Sequence, residues 1–277
     1  MSHICVLKSE ITEIIKEISP KFSLDFTFGA GGHTKIILNN SSSIVYGFDR
    51  DITTKKFANH LQQEYQNRFF YINDISSNVN EYNYIKNIDF ILSDLGLSQM
   101  QLKSNRGFSY LRNEELDMQM GIKSLGKISH IINNINEYKL QEILRLYSED
   151  KHWKKITKSI IEERQKYYIS TTFQLKDIIN KVVGNKNLYK SLSRCFQALR
   201  IYTNNEIFIL QETLEKSFNI LNKGGCMAFI GFHSIENKII KNFFKIYLKN
   251  IKTFSPTSEE IDSNSQSRSA FMRIGVK

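Results

Sequence analysis

The chain contains little proline, little cysteine and no long apolar run. Two prolines and three cysteines occur in 277 residues. Cys5, Cys195 and Cys226 are far apart and have no metal-ligand spacing, which predicts reduced thiols rather than disulfides or a metal site. No apolar run approaches the roughly 18 residues of a membrane span, and the first residues do not resemble a signal peptide. We therefore expect a cytoplasmic protein that uses neither a membrane nor a metal.

The residues that are present predict a folded core and an anionic partner. Hydrophobic residues make up 41% of the chain, with 19 Phe and 13 Tyr. The net charge is +10 and the sequence pI is about 9.3, which favours a polyanion such as nucleic acid. Residues 101–200 hold nineteen Lys or Arg against ten Asp or Glu, so they carry almost all of this excess. The alternative is that these charges only cover solvated helix faces, but the excess of positive charge would then be spread more evenly along the chain.

The first hundred residues alternate between short apolar runs and helical patterns. Strands are predicted at 22–28, 44–48, 69–72 and 88–93, and helices at 7–18 and 53–65, the second with Thr53 as a possible cap. Strands that alternate with helices indicate a parallel sheet with helices on both faces. Ligands of such sheets bind at the carboxyl ends of the strands. Asp49, the turn at Asp74, and Asp94 all fall on that edge.

The pattern becomes helical from about residue 103 and returns to α/β near residue 196. Helices are predicted around 139–146, 156–163, 175–183 and 205–221, followed by a strand at 226–232. Residues 255–269 are polar and predicted to be loose, and 270–276 could form a last strand at the sheet edge. The expected fold class is α/β, with a mostly parallel, doubly wound sheet. The expected domains are 1–102 with 196–277, and an inserted helical domain at 103–195.

A glycine-rich stretch at residues 25–33 indicates a nucleotide site. Gly29, Gly31 and Gly32 follow the first strand and precede a helix, so a ligand can approach the backbone and the helix start. Asp49 comes twenty residues after Gly29, at the end of the second strand. A carboxylate at this position is suited to accept hydrogen bonds from a ribose. The alternative to a nucleotide site is that the glycines form a tight turn and Asp49 is an ordinary surface residue.

Several further segments match the motifs of one family in the same order along the chain. The matching segments are 3–7 (with Cys5 where proline is usual), 25–33, 49–51, 94–98 with Gln101, 106–110, 116–120, 196–201, 232–236 and 268–270. Together they resemble the RsmH (MraW) family of small-subunit ribosomal RNA cytosine-N4 methyltransferases, which use S-adenosylmethionine. The match runs nearly from end to end of the chain.

The resemblance implies a class I methyltransferase sheet that is interrupted by a helical RNA-recognition domain. It implies methylation of the N4 amine of a cytosine in the decoding region of 16S ribosomal RNA, within an assembled or nearly assembled 30S subunit. In the family, a phenylalanine after the third strand is a further cofactor contact. Its position falls near Ile75, where the alignment of this chain with the family is one residue short. The predicted cofactor contacts are Gly29, Gly31, Gly32, His33, Asp49, Ile75, Asp94 and Gln101.

Asp94 is the predicted catalytic residue, because a carboxylate beside the methyl group could accept a hydrogen bond from the target amine. A structural turn is the alternative for Asp94. An aromatic ring beside arginines could stack a base and hold its phosphate. The predicted substrate contacts are Arg106, Phe108, Asp117, Arg200, His233 and Ser234. Domain packing is the alternative for Phe108, and helix capping is the alternative for His233 and Ser234.

The chain departs from the family pattern at a few positions. These are Gln99, Met100, Gln119, Asn237 and Lys238. The last two remove a carboxylate near the site, so a non-catalytic RNA-binding or ribosome-assembly protein is one competing hypothesis. A nicotinamide-dependent oxidoreductase is another, although Thr34 occupies the position of the third glycine of its fingerprint.

Overall fold

The computed structural model describes residues 5–277, which fold into two compact units. One unit comprises the chain up to Gly96 together with Ile207–Lys277, and the other comprises Leu97–Glu206. We call these the sheet unit and the helical unit. The helical unit starts before residue 103 and ends after residue 195, the bounds expected for the insertion. His3, part of the matched N-terminal motif, lies outside the described residues.

The sheet unit contains a seven-stranded sheet with the order β3-β2-β1-β4-β5-β7-β6. Its first five strands pair in parallel, and β7 runs antiparallel to both of its neighbours. This arrangement confirms the predicted mostly parallel α/β fold. The strands are β1 (Phe22–Asp25), β2 (Ile44–Phe48), β3 (Phe69–Ile72), β4 (Ile88–Asp94), β5 (Leu221–Gly231), β6 (Lys249–Phe254) and β7 (Phe271–Val276).

Helices account for most of the remaining chain between residues 5 and 277. None of them, in this part of the chain, is long and apolar enough to cross a bilayer. In chain order they are α1 (Lys8–Ile18), α2 (Gly32–Asn40), α3 (Lys55–Glu64), α4 (Gln99–Leu102), α5 (Ile128–Asn134), α6 (Glu137–Tyr147), α7 (Trp153–Arg164), α8 (Thr172–Val183), α9 (Leu188–Asn204), α10 (Glu206–Ile220), α11 (Ser234–Tyr247) and α12 (Ser258–Ser263).

The sheet is covered on both faces because the side chains of its strands alternate. On β5, Ala228 and Ile230 join a core with residues of α1, α2 and α3. Met227 and Phe229 face the opposite core, which includes residues of α10 and α11. Successive side chains of a strand point to opposite faces, so an apolar run with no polar alternation requires apolar cover on each side. The sheet is therefore doubly wound, as predicted.

The helical unit has a hydrophobic core of its own. Helices α5–α9 contribute buried residues at helical spacing, such as Leu140, Ile143 and Leu144 on α6. Leu116, Met118 and Met120, from the matched segment 116–120, are also buried in this core.

Two predictions for the C-terminal part of the chain were wrong. The strand predicted at the edge, β7, is an inner strand, because β6 pairs with it on the outside. Strand β6 was not predicted, because its residues are almost all exposed and its sequence has no apolar pattern. Residues 255–269 were expected to be loose, but they contain α12, and the Thr257 side chain caps its first turn by accepting from Glu260 N–H.

Asn204, at the end of α9, joins this helix to the chain segment around Met118. Its side-chain nitrogen donates to the carbonyls of Met118 and Arg200, at 2.7 and 3.0 Å. Its side-chain oxygen accepts from Met120 N–H and the Ser124 hydroxyl, at 2.8 and 2.9 Å. Asn204 is fully buried, so its amide makes four hydrogen bonds away from water to a segment in which Met118 has a φ of +58°.

We expect Asn204→Asp to destabilise the helical unit by about 2–3 kcal/mol, because a carboxylate oxygen would face two carbonyls in a buried site. Trp153, the single tryptophan, lies on α7 of this unit, so its fluorescence during urea unfolding reports the effect. Asn205→Asp changes the neighbouring, exposed residue and serves as the control. Equal unfolding midpoints for the two variants would contradict this role of Asn204.

Candidate functional site

The glycine loop connects β1 to α2 at the carboxyl edge of the sheet. Gly29 and Gly31 have φ values of +56° and +80°, and α2 begins at Gly32. A side chain on Gly31 would also meet the ring of Phe28, since its Cβ would lie 2.9 Å from two ring atoms. The loop therefore requires glycine, and it leaves the first N–H groups of a nine-residue helix available to a ligand.

The buried carboxyl of Asp25 fixes this loop to the end of β1. Its two oxygens accept from Thr27 N–H at 3.1 Å and from the Thr34 hydroxyl at 2.7 Å. Burial raises the pKa of Asp25, while the nearby His33 lowers it to a smaller extent. Asp25 begins the matched motif at residues 25–33 and Thr34 directly follows it, but the motif predicted no role for either side chain.

Asp49, at the end of β2, contacts the glycine loop directly. One carboxylate oxygen accepts from Gly29 N–H at 2.7 Å, and the other accepts from Asp51 N–H at 2.8 Å. Burial raises the pKa of Asp49 to about 7, although these hydrogen bonds lower it. A carboxylate has about four acceptor positions, so each oxygen can accept one more hydrogen bond. This geometry fits the two hydroxyls of a ribose.

Asp94, the last residue of β4, lies beside the same loop. Its backbone N–H donates to the Thr27 hydroxyl at 2.6 Å, and its Oδ1 accepts from Gly96 N–H at 3.1 Å. Its Oδ2 is 3.8 Å from Nδ1 of His33, and the Asp94 side chain is 16% exposed. The structure thus brings His33 and Asp94 together at the strand ends, with one carboxylate oxygen oriented by the backbone.

Ile75 lies just after β3 and is buried. Its N–H donates to the Asp74 carboxylate at 2.8 Å, which orders the turn that follows the strand. In the same turn, the side chain of Asn73 donates to the Asp49 carbonyl at 2.7 Å. Asn73 is a further residue at this edge that the sequence analysis did not assign.

His233 and Ser234 follow β5, where His233 caps α11. Nδ1 of His233 accepts from Glu236 N–H at 3.4 Å, and the Glu236 carboxylate accepts from Phe232 N–H at 2.7 Å. Nε2 of His233 is 3.1 Å from the other oxygen of the same carboxylate. These contacts establish the capping that was the alternative for His233, and a substrate role for His233 and Ser234 remains a prediction.

Asn237, one of the departures from the family pattern, keeps a specific contact. Its side-chain oxygen accepts from two nitrogens of Arg273, Nε and Nη2, at 3.2 and 3.0 Å. An amide oxygen can thus take a contact that a carboxylate could also make, without the negative charge. This substitution removes charge between α11 and β7 but keeps the two elements joined.

Gln101, a predicted cofactor contact, belongs to the helical unit. Its side-chain oxygen accepts from Ser98 N–H at 3.0 Å, and the Ser98 hydroxyl accepts from Gln101 N–H at 3.2 Å. These reciprocal contacts form a capping box at the start of α4. The amide nitrogen of Gln101 lies outside this cap, so its role as a contact remains a prediction.

Arg106, Phe108 and Asp117 lie close together in the helical unit. The Arg106 guanidinium stands 5.5 Å from the centre of the Phe108 ring and donates to the Gln119 carbonyl at 3.1 Å. Phe108 is buried in the core of this unit, and the Asp117 carboxylate accepts from Gln119 N–H at 3.0 Å. Burial agrees with packing, the alternative for Phe108, because a buried ring offers little surface to a base.

Arg200 makes a bidentate ion pair with Glu206. Its Nε and Nη2 each lie 3.0 Å from a different oxygen of that carboxylate, and both side chains are mostly buried. A phosphate would have to replace Glu206 to contact this fork. The sequence pattern could not reveal that Glu206 pairs with Arg200, because residues six apart do not meet on one helix; they meet here since the chain turns at Asn205 (φ +51°) between α9 and α10.

Comparison with known proteins agrees with this geometry. The model of the MraW methylase family matches residues 1–277. Three relatives, each called ribosomal RNA small subunit methyltransferase H, come from Orientia tsutsugamushi (strain Ikeda), Sulfurihydrogenibium sp. (strain YO3AOP1) and Ehrlichia ruminantium (strain Gardel). They are 35%, 37% and 35% identical to the chain and cover 99%, 99% and 100% of it. The alignments span 98%, 99% and 100% of the relatives themselves.

These matches confirm the resemblance, and with it the predicted methyltransferase class and its cofactor, S-adenosylmethionine. They give no support to the oxidoreductase hypothesis. The chain belongs to the MraW methylase family.

Proposed function

We propose that this protein transfers a methyl group from S-adenosylmethionine to the N4 amine of a cytosine in the decoding region of small-subunit ribosomal RNA. Its family and the names of its relatives support ribosomal RNA as the substrate. The observation that carries the proposal is the Asp94 carboxylate at the end of β4, beside the glycine loop. The proposed form of the substrate is an assembled or nearly assembled 30S subunit.

The residues of the sheet unit have distinct proposed roles toward the cofactor. S-adenosylmethionine supplies an electrophilic methyl group carried on a sulfonium. Asp49 holds the ribose hydroxyls with its remaining acceptor positions, while the N–H groups at Gly32 and His33 face the ligand from the start of α2. The backbone at Gly29 and Gly31 allows close approach, and Ile75 and Gln101 complete the proposed contacts.

Asp94 is proposed to act on the target amine. The N4 nitrogen of cytosine is conjugated with the ring and is a weak nucleophile. A carboxylate that accepts its N–H hydrogen bond localises the nitrogen lone pair and receives the proton late in the transfer. Because Oδ1 already accepts from Gly96 N–H, the orientation of the Asp94 carboxylate is set before the substrate binds.

The helical unit is proposed to bind the RNA. It carries most of the net positive charge of the chain, and positive charge supplies most of the sequence-independent affinity for nucleic acid. Arg200 would have to exchange Glu206 for a phosphate on binding. The proposed substrate contacts are Arg106, Phe108, Asp117, Arg200, His233 and Ser234.

A catalytically weakened RNA-binding protein of the same fold remains the competing hypothesis, since Asn237 lacks the usual carboxylate. Single-turnover methylation of small-subunit RNA, naked or assembled, separates the two. The product is detected by mass spectrometry of the cytosine. If no substrate form is methylated, the enzyme hypothesis fails and the binding hypothesis replaces it.

We predict that the affinity for S-adenosylmethionine depends on the charge of Asp49. Because burial raises the pKa of Asp49 to about 7, binding to the charged form must release a proton below that pH. The affinity should therefore fall about ten-fold per unit as the pH decreases below 7 and level off above it. Calorimetry across this range measures the effect.

Asp49→Ala should weaken binding at least about ten-fold at pH 8, because charge-assisted hydrogen bonds are lost, and should remove the pH dependence. Glu13→Ala removes an exposed carboxylate of α1 and provides the matched control. An unchanged dissociation constant in Asp49→Ala would exclude Asp49 from the site.

Asp94→Asn should lower the single-turnover rate by about 10²–10³ at saturating cofactor, because a preorganised acceptor for developing charge is lost. RNA affinity should change little. Asp262→Asn makes the same substitution at an exposed position of α12 and should leave the rate unchanged. If saturating cofactor restores the full rate in Asp94→Asn, then Asp94 binds the cofactor and does not act in catalysis.

The affinity for RNA should fall steeply with salt, and the helical unit should account for most of the slope. Lys154, Lys155 and Lys158 are exposed on α7, and each phosphate contact removed should lower the log–log slope by about 0.7–0.9. Changing all three to Glu should flatten the salt dependence in filter-binding measurements. The same reversal at the exposed Lys241, Lys245 and Lys249 matches the charge change in the sheet unit. Equal slopes for the two triple variants would place the RNA contacts elsewhere.

A further inference from the structure

The imidazole of His33 is buried between two hydrogen-bond acceptors. Its Nε2 lies 2.9 Å from the Val6 carbonyl oxygen, and its Nδ1 lies 3.8 Å from Oδ2 of Asp94. The ring is 6% exposed, so water contributes little to its surroundings. The proposed cofactor role of His33 uses its backbone N–H and leaves the ring without a function.

The partners of the ring determine where its hydrogens lie. A carbonyl oxygen can only accept, so Nε2 carries a hydrogen and donates to Val6. If Nδ1 were bare, its lone pair would face the negative charge of Asp94. With a hydrogen on Nδ1 as well, the ring donates toward Asp94 and the contact becomes attractive.

The two oxygens of Asp94 are therefore approached from different sides. Gly96 N–H donates to Oδ1 at 3.1 Å, and His33 faces Oδ2. A separation of 3.8 Å is longer than a hydrogen bond, but such contacts in unliganded active sites commonly shorten when the substrate binds. Oδ1 of Asp94 is then held by Gly96 N–H, while Oδ2 comes within hydrogen-bond distance of the His33 ring when the substrate binds.

The Val6 carbonyl is itself held in place. The N–H of the next residue, Leu7, donates to Oε1 of Glu260 on α12 at 2.8 Å. Cys5 Sγ lies against Gly32, in the space that a side chain on this glycine would fill. The segment at residues 5–7 is thus fixed from both sides, and it gives the His33 ring a rigid anchor.

We infer that the His33 side chain is a positioning residue for Asp94: Nε2 anchors the ring on the Val6 carbonyl, and Nδ1 orients Oδ2 toward the reacting amine. The inference rests on the proposed function only for the role of Asp94 in methyl transfer. The orientation of Asp94 by His33 rests on the position of the ring between the Val6 carbonyl and Oδ2 of Asp94, whatever reaction the site performs.

Two amide substitutions at His33 distinguish the roles of the two ring nitrogens. The side-chain nitrogen of Asn can occupy the place of Nδ1, and that of Gln can occupy the place of Nε2. At saturating S-adenosylmethionine, His33→Gln should lower the single-turnover rate about ten-fold or more, because it loses the donor to Asp94. His33→Asn keeps that donor and loses only the Val6 anchor, so it should lose clearly less of the rate than His33→Gln. The cofactor dissociation constant should be similar in both variants, since the backbone N–H is kept.

His60→Gln, at an exposed position of α3, controls for the chemical change. The inference is overturned if the order is reversed, with Asn impaired and Gln normal, because the ring then acts only through Val6. It is also overturned if both variants lose rate equally together with thermal stability, because the ring then serves only the fold.

A measurement without RNA separates this inference from the proposed function. Long-range ¹H–¹⁵N spectra report both nitrogens of each histidine ring, and the signals of His33 are those lost in His33→Gln. Asp94→Asn should shift the Nδ1 signal of His33 and leave that of His60 unchanged. If this shift occurs but no RNA is methylated, the proposed function fails and the orientation of Asp94 by His33 holds. No shift in Asp94→Asn overturns the inference, whatever the activity.

Discussion

The geometry of the site depends on one buried carboxyl, that of Asp25. It joins the end of β1 to the first turn of α2 through the Thr34 hydroxyl and to the loop through Thr27 N–H. Removing one partner from a buried hydrogen bond costs about 1–3 kcal/mol and frees the other partner to move. Beyond the strand ends, Phe28 N–H still donates to the Phe48 carbonyl at 2.9 Å, so the pairing of β1 with β2 brings the next residues, Gly29 and Asp49, into contact.

The carboxyl edge of the sheet brings together three carboxyl groups, of which Asp25 is buried and Asp49 and Asp94 are half-buried. Asp25, Asp49 and Asp94 end three neighbouring parallel strands, and the charge of Asp25 adds to the effect of burial in raising the pKa of Asp49. Carboxylates gathered at low dielectric repel one another and attract a cation. A sulfonium ligand meets this requirement, whereas the dinucleotide of the competing oxidoreductase hypothesis carries negative phosphates. Electrostatics and family membership therefore agree on the class of cofactor.

The sequence predicted best those elements whose pattern is determined by burial. Strands β2 and β3 have the predicted bounds because each is a short apolar run between polar residues. Strand β6 was not predicted from the sequence, because an exposed edge strand needs no apolar pattern. In the site, the motif spacing predicted that Asp49 and the glycine loop would lie at the same edge of the sheet. The motif spacing could not predict that Glu206 forms an ion pair with the Arg200 guanidinium or that Glu236 contacts the His233 ring. Those pairs depend on side-chain geometry.

The partial burial of the Asp49 carboxyl is more readily explained by binding than by folding. A carboxyl whose pKa is raised to about 7 in the folded protein favours folding when protonated, and that contribution is lost as the pH rises through 7. Near neutral pH, a folding role alone would be served better by a neutral side chain that accepts from Gly29 and Asp51. The two remaining acceptor positions of the carboxylate acquire a purpose only when a ligand donates to them. Asp49 thus carries a cost in the free protein that a bound diol can offset, which is the behaviour expected of a binding residue.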